Sequence, residues 1–219
     1  MYKITGLQSV SIQYRWIFAL CLFIPCVYGA DDNESWTSIG FEKKLTKILK
    51  IEFDQEIRLD KQLSTFKQTF SEISFSYKLS DGFTLQLPYR YSVYEDKIKQ
   101  RFGIGCSYKY SFKLISLKYR TKFQRTYEKQ EDTEDLLRNK FTIEYKLDNN
   151  LKPYISSELI HPYDEASLKL NEFRVSFGLS VSLTKKNSIK LFYIFKQEDI
   201  TKLDYDKINI FGLSYNYKM

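Results

Sequence analysis

Leu49-Lys-Ile-Glu-Phe-Asp-Gln-Glu-Ile-Arg-Leu-Asp60 alternates without a break. Its odd positions are Leu49, Ile51, Phe53, Gln55, Ile57 and Leu59, and its even positions are Lys50, Glu52, Asp54, Glu56, Arg58 and Asp60. Side chains of a strand point to opposite faces at every step, so a period of two is the mark of a β-strand with one apolar and one charged face. The pattern returns in 83–93, where Phe83, Leu85, Leu87, Tyr89, Tyr91 and Val93 oppose Thr84, Gln86, Pro88, Arg90 and Ser92. It returns again in 141–147 and in 173–183, the latter with Phe173, Val175, Phe177, Leu179, Val181 and Leu183 on one face. No stretch of comparable length carries a helical period.

Working outward from these segments, the sequence predicts strands over 36–45, 48–60, 68–79, 83–94, 99–111, 113–125, 136–147, 152–161, 171–184, 188–198 and 207–218. Most exceed nine residues, the length that a tilted strand needs to cross a bilayer, whereas globular strands average five or six. Short turns such as Ser80-Asp81-Gly82 and Asp148-Asn149-Asn150 alternate with longer polar connections at 61–67, 95–98, 126–135, 162–170 and 199–206. Short turns at one end and longer loops at the other are the pattern of outer-membrane barrels. The fold class expected is therefore all-β, an antiparallel up-and-down transmembrane barrel. Eleven strands cannot close a purely antiparallel sheet, so ten are favoured over twelve. Residues 36–45 are then an extra segment, tucked inside, covering an edge or belonging to a twelve-stranded arrangement.

Composition agrees with a folded chain. The 219 residues are 43% hydrophobic, 28% charged and 17% aromatic, with 8 Gly and 4 Pro, which excludes disordered, collagen-like and low-complexity architectures. The mean hydropathy of -0.42 does not exclude a membrane barrel, because alternating faces cancel in the average.

Residues 1–30 read as a cleaved secretory signal: Lys3 and Arg15 without an acid, the apolar run Trp16–Tyr28, then Gly29-Ala30 before Asp31-Asp32. The remainder, 31–219, is expected to be one barrel domain. Losing Lys3 and Arg15 lowers the net charge from +7 to +5. Cys21 and Cys26 leave with the signal, so Cys106 has no intramolecular partner. Tyr and Phe near strand ends, such as Tyr108, Tyr110, Phe112, Tyr215 and Tyr217, fit interfacial girdles.

Trp36, Glu56-Ile-Arg58-Leu59, Pro88-Tyr89-Arg90-Tyr91, Pro153-Tyr-Ile-Ser-Ser-Glu158-Leu159 and Phe173-Arg174 ahead of Gly178 resemble a family of predicted outer-membrane barrels, the domain of unknown function family 2490. The resemblance spans roughly 34–219 and implies an outer-membrane barrel with no assigned activity. The chain departs from the usual terminal aromatic of such barrels by ending Tyr217-Lys218-Met219.

The charged face is expected to point into a narrow lumen, where Glu52, Glu56, Arg58, Arg90, Arg101, Arg120, Arg138, Glu144, Glu158 and Arg174 form a network bridging across the barrel. Such a lumen makes the protein a non-enzymatic structural component of the outer envelope. The alternative is a narrow channel or transporter for small solutes, with anions favoured by the many Lys and Arg of 99–125. A lipid hydrolase is a further alternative. It would rest on His161, the one histidine, yet alternation puts Glu158 and His161 on opposite faces. Gly103-Ile-Gly105 lacks the helix of a dinucleotide site and is read as relief of crowding on the inner face. The sequence offers no catalytic residue, no metal ligands and no cofactor motif. Its cations alternate with acids instead of forming a nucleic-acid patch. The partners expected are outer-membrane lipid, lipopolysaccharide and, during biogenesis, the barrel-assembly machinery of a Gram-negative bacterium.

Overall fold

The structure, a computed structural model, describes residues 30–129, 131–163, 170–200 and 205–219. The signal-peptide segment therefore lies outside the described residues, apart from Ala30. Eleven strands follow one another: β1 (Asp32–Lys44), β2 (Leu49–Asp60), β3 (Thr65–Ser80), β4 (Phe83–Val93), β5 (Ile98–Phe112), β6 (Ile115–Glu128), β7 (Glu134–Tyr145), β8 (Leu151–Pro162), β9 (Glu172–Ser182), β10 (Asn187–Glu198) and β11 (Asp206–Lys218). Each matches one strand read from the sequence. No described helix is long and apolar enough to cross a membrane.

The strands form a closed barrel in which every neighbour is consecutive in sequence except the pair that closes it. β1 lies antiparallel to β2 and parallel to β11, with Asp32 opposite Ile208 and Glu42 opposite Lys218. The expected count of ten is corrected to eleven by this seam. Parity binds only a sheet whose every pair is antiparallel, and one parallel pair lets an odd number close. Residues 36–45 are neither a plug nor an edge cover but most of the closing strand.

The seam is supported from within. Trp36 of β1, Ile208 and Ile210 of β11 and Ile194 of β10 form the buried apolar cluster, with Phe192 packed against it. Phe192 lies against Gly212, where a Cβ would meet its ring, and Tyr154 lies against Gly178 in the same way. Glycine is used here because an aromatic ring occupies the place of the missing side chain. Gly103 is explained similarly, since a Cβ there would crowd the Pro88 ring at 3.0 Å.

Alternation sets the outer surface. Leu87, Phe102, Ile104, Tyr108, Tyr110 and Phe112 are each about half exposed, and their exposure is all on the outside of the wall. Tyr108, Tyr110 and Phe112 stand at the turn end of β5, where a girdle is expected. Turns of two to five residues close one rim, at 45–48, 81–82, 113–114, 146–150 and 183–186. Gly82 sits at φ +83°, and a Cβ there would also meet the Lys109 carbonyl, so this hairpin requires glycine. At the other rim the first two loops, 61–64 and 94–97, are no longer than the turns: β3 begins earlier than its sequence suggests, and 94–97 keeps the four residues expected of it. The loop 129–133 equals the longest turn, so the length asymmetry rests on 163–171 and 199–205 alone.

Trp36→Ala removes the largest side chain behind the seam and is expected to destabilise the barrel by about 3 kcal/mol. Amides of β1 and β11 should then exchange faster with deuterium while those of β5 and β6 keep their protection. Uniform loss of protection around the barrel would contradict a seam held by this cluster.

Candidate functional site

The even-numbered residues of most strands, and the odd ones of β5, line the lumen. Nine of the ten residues read as lumen charges surround one central cavity of about 440 Å³: Glu52, Glu56, Arg58, Arg90, Arg101, Arg120, Arg138, Glu158 and Arg174. Glu144 lies nearer the turns, in a separate cavity of about 370 Å³.

Most ion pairs run along the wall, joining residues of one strand or of strands next to or one removed from each other. Arg58 meets Glu56 at 2.6 Å and Lys50 meets Glu52 at 2.8 Å, each two residues apart on one strand. Arg174 pairs with Glu172 likewise. Arg90 of β4 reaches Glu72 of β3 at 2.7 Å. Glu158 of β8 takes Arg138 of β7 at 2.9 Å and Arg120 of β6 at 3.1 Å. The expectation of bridges across the barrel is thus corrected. Same-face neighbours on one strand or on adjacent strands are only about 5 to 7 Å apart, well within side-chain reach. Arg101 has no carboxylate partner among the described residues and donates to the Thr126 hydroxyl at 3.0 Å.

Three guanidinium groups also lie on aromatic faces, Arg174 at 5.5 Å from the Trp36 ring centroid and two others closer. The Cζ of Arg58 is 3.6 Å from the Trp36 ring centroid and 5.1 Å from that of Phe70, while the Cζ of Arg90 is 3.6 Å from Phe70. Trp36, Arg58, Phe70 and Arg90, on four successive strands, make a ladder in which each cation faces the negative face of a ring.

Toward the loop rim the lumen is filled. Glu34 has no exposed surface, and its carboxylate accepts from Trp36 Nε1 at 2.8 Å, Lys67 Nζ at 2.6 Å and Lys196 Nζ at 3.3 Å. Lys67 reaches it because the β2–β3 register shifts between Arg58 and Leu59, pairing Arg58 with Gln68 but Leu59 with Phe66. A bulge of this kind re-aims one side chain, here from the outer face into the lumen. Sequence reading missed both partners, since Lys67 stood in a predicted loop and Glu34 preceded the predicted first strand. The one available signal was Glu34-Ser35-Trp36, which continues the inward parity of Trp36.

Charge is also divided between the rims. The turns carry Lys47, Lys113, Lys146, Lys185 and Lys186 against Asp81 and Asp148. The described loops carry Glu95, Asp96, Glu131, Asp132 and Asp199 against Lys61, Lys97 and Lys129.

His161 ends β8 on the outer face near the loop rim, and its Nδ1 has no hydrogen-bond partner among the described residues. Glu158 is buried in the lumen, and Asp135 on the neighbouring strand is held by Arg125 through bonds of 2.7 and 2.6 Å. No nucleophile–base–carboxylate arrangement is assembled at His161 among the described residues. No cluster of potential metal ligands occurs among them either.

A family model described as a protein of unknown function (DUF2490) matches residues 33–206. No curated protein matches. Among solved structures, the NanC porin is similar at TM-score 0.54 and 11% identity, covering 81% of this chain and 93% of its own. A bacterial polysaccharide outer membrane secretin is similar at TM-score 0.51 and 8% identity, covering 78% of this chain and 63% of its own. The KdgM porin aligns at TM-score 0.45 and 11% identity, covering 72% and 80%. The first two likenesses show the fold, a closed barrel of the outer-membrane porin type.

Glu158→Gln leaves Arg120 and Arg138 facing each other without a counter-charge and is expected to cost about 3 to 5 kcal/mol in reversible unfolding from detergent micelles. Replacing the whole set, with Arg120→Met, Arg138→Met and Glu158→Leu, should recover part of that loss. Full stability of the single variant would mean that the pair does not brace the wall.

Proposed function

Because the chain belongs to the DUF2490 family of proteins of unknown function and has a porin-type barrel, we propose that it is a non-enzymatic outer-membrane protein whose lumen is braced and closed. Residues 1–30 direct export and are removed, and the remaining domain is inserted by the barrel-assembly machinery. The apolar outer face meets phospholipid on the turn side and lipopolysaccharide on the loop side, so the turns are periplasmic and the longer loops external.

One observation carries the closed reading. Glu34 and Ile210, both with no exposed surface, meet inside the loop half, where Glu34 gathers donors from β1, β3 and β10. A buried carboxylate with three donors, two of them cationic, is fixed in place, because moving it would give up those bonds without water to replace them. The barrel then serves as a rigid envelope element.

A second reading, a narrow channel for small anions, is favoured by the cation-lined cavity on the turn side. It requires the layer of Trp36, Arg58, Phe70 and Arg90 to part, and that layer consists of side chains alone.

Fractionation of expressing cells should place the protein in the outer membrane, and its migration on a gel should change on boiling. In planar bilayers the parent should be silent, whereas Trp36→Ala combined with Arg58→Ala should give discrete conductance. A steady conductance from the parent would replace the closed reading with the channel. Recovery of the protein in the soluble fraction would remove the membrane placement altogether.

A further inference from the structure

On the turn side of Glu158 lies the cavity of about 370 Å³, lined by Lys109, Lys118, Arg120, Lys140, Glu144 and Lys190 among others. Arg120 is engaged by Glu158 at 3.1 Å. Among the described residues none of the four lysines has a carboxylate within ion-pairing distance, and Glu144 has no cation within that distance. The lysines come from β5, β6, β7 and β10, so they converge on one volume from separate parts of the wall. In the layers above, Arg58, Arg90, Arg138, Arg174 and Lys196 each hold an acid, while Arg101 and Lys122 are without one among the described residues.

Four ammonium groups around one small cavity repel one another, and the carboxylates that act on them, such as Glu158 beside Lys140, do so from beyond ion-pairing distance. An occupant with several negative charges turns that repulsion into attraction. Hydroxyls of Thr142, Tyr154 and Ser180 on the same wall can donate to its oxygens. The volume is that of a pocket for a small molecule. The mouth is open, since Lys109 and Lys190 are exposed. The lysines of the turn rim extend the positive field outward, and a charged cleft between low-dielectric walls concentrates counter-ions.

We propose that this chamber is a binding site for a small anion carrying several carboxylate or phosphate groups, admitted from the turn rim and stopped by the filled loop half. Binding needs only the open turn end, so it stands whether or not the lumen conducts and whichever membrane holds the barrel.

The test uses the folded 31–219 barrel in a neutral detergent at low ionic strength, with tripolyphosphate and citrate as separate probes titrated calorimetrically. The site requires saturable one-to-one binding of at least one probe, and comparison of the two distinguishes phosphate from carboxylate recognition. Lys118→Gln with Lys190→Gln should weaken it about tenfold or more. Lys185→Gln with Lys186→Gln, which lowers the rim charge equally, should change it less than about twofold. Glu144→Gln removes the one carboxylate of the chamber and should tighten binding, a gain that a misfolded variant cannot imitate. Equal loss from the rim and chamber variants would reduce the effect to surface attraction and overturn the site. Absence of saturable binding of both probes would overturn it as well, and neither result bears on bilayer conductance.

Discussion

A strand surrounded by hydrocarbon has no water to satisfy its backbone, so a sheet in that medium must close on itself. For this chain the requirement falls on one ladder. Ten of the strand pairs are antiparallel hairpin neighbours, and the eleventh, between β1 and β11, is parallel. Parallel pairing is slightly weaker per residue. The apolar cluster of Trp36, Ile194, Ile208 and Ile210 lies directly behind that pair, where added burial offsets the poorer ladder. Closing the sheet also fixes the register of every strand, and register decides which side chains share the interior.

The interior is then organised by what each charge can reach. Neighbouring positions on one wall supply partners for most cations, and aromatic faces take three guanidinium groups that also hold acids. Filling rises toward the loop rim and falls toward the turns. The same alternation thus produces a sealed half and an open, cation-lined half, separated by the Glu158 pairs. A lumen with this gradient has a direction, which a uniformly paired one lacks.

Much of this was legible in the sequence, for a physical reason. Alternation over eleven to sixteen residues has no competitor, and it places charges such as Glu52, Arg90 and Arg174 correctly by parity alone. Parity is blind to direction, however, and a strand reads the same whether its neighbour runs with it or against it. The parallel seam was therefore invisible, and β1 looked like a remainder. Glu34 and Lys67 were hidden for another reason. Asp32-Asn33-Glu34-Ser35 is polar throughout and reads as a loop, and a bulge breaks the parity that would have assigned Lys67. Pairing partners such as Glu34 with Lys196, 162 residues apart, follow from closure and not from any local pattern.

The seam also bears on how the barrel forms in time. Ten ladders join strands separated by one short connection, so each can zip soon after its strands exist. The eleventh joins residues 176 apart in the chain, as in the bond from Asn209 to Asn33. Bringing such distant segments together carries the largest loop-closure entropy in the molecule, which makes this ladder the last to form. Until then β1 and β11 each present an unpaired edge, the kind of surface that captures strands of other chains. The vulnerable species in the life of this protein is thus an open, nearly complete sheet, and its lifetime is set by how quickly Trp36 finds the isoleucines of β10 and β11.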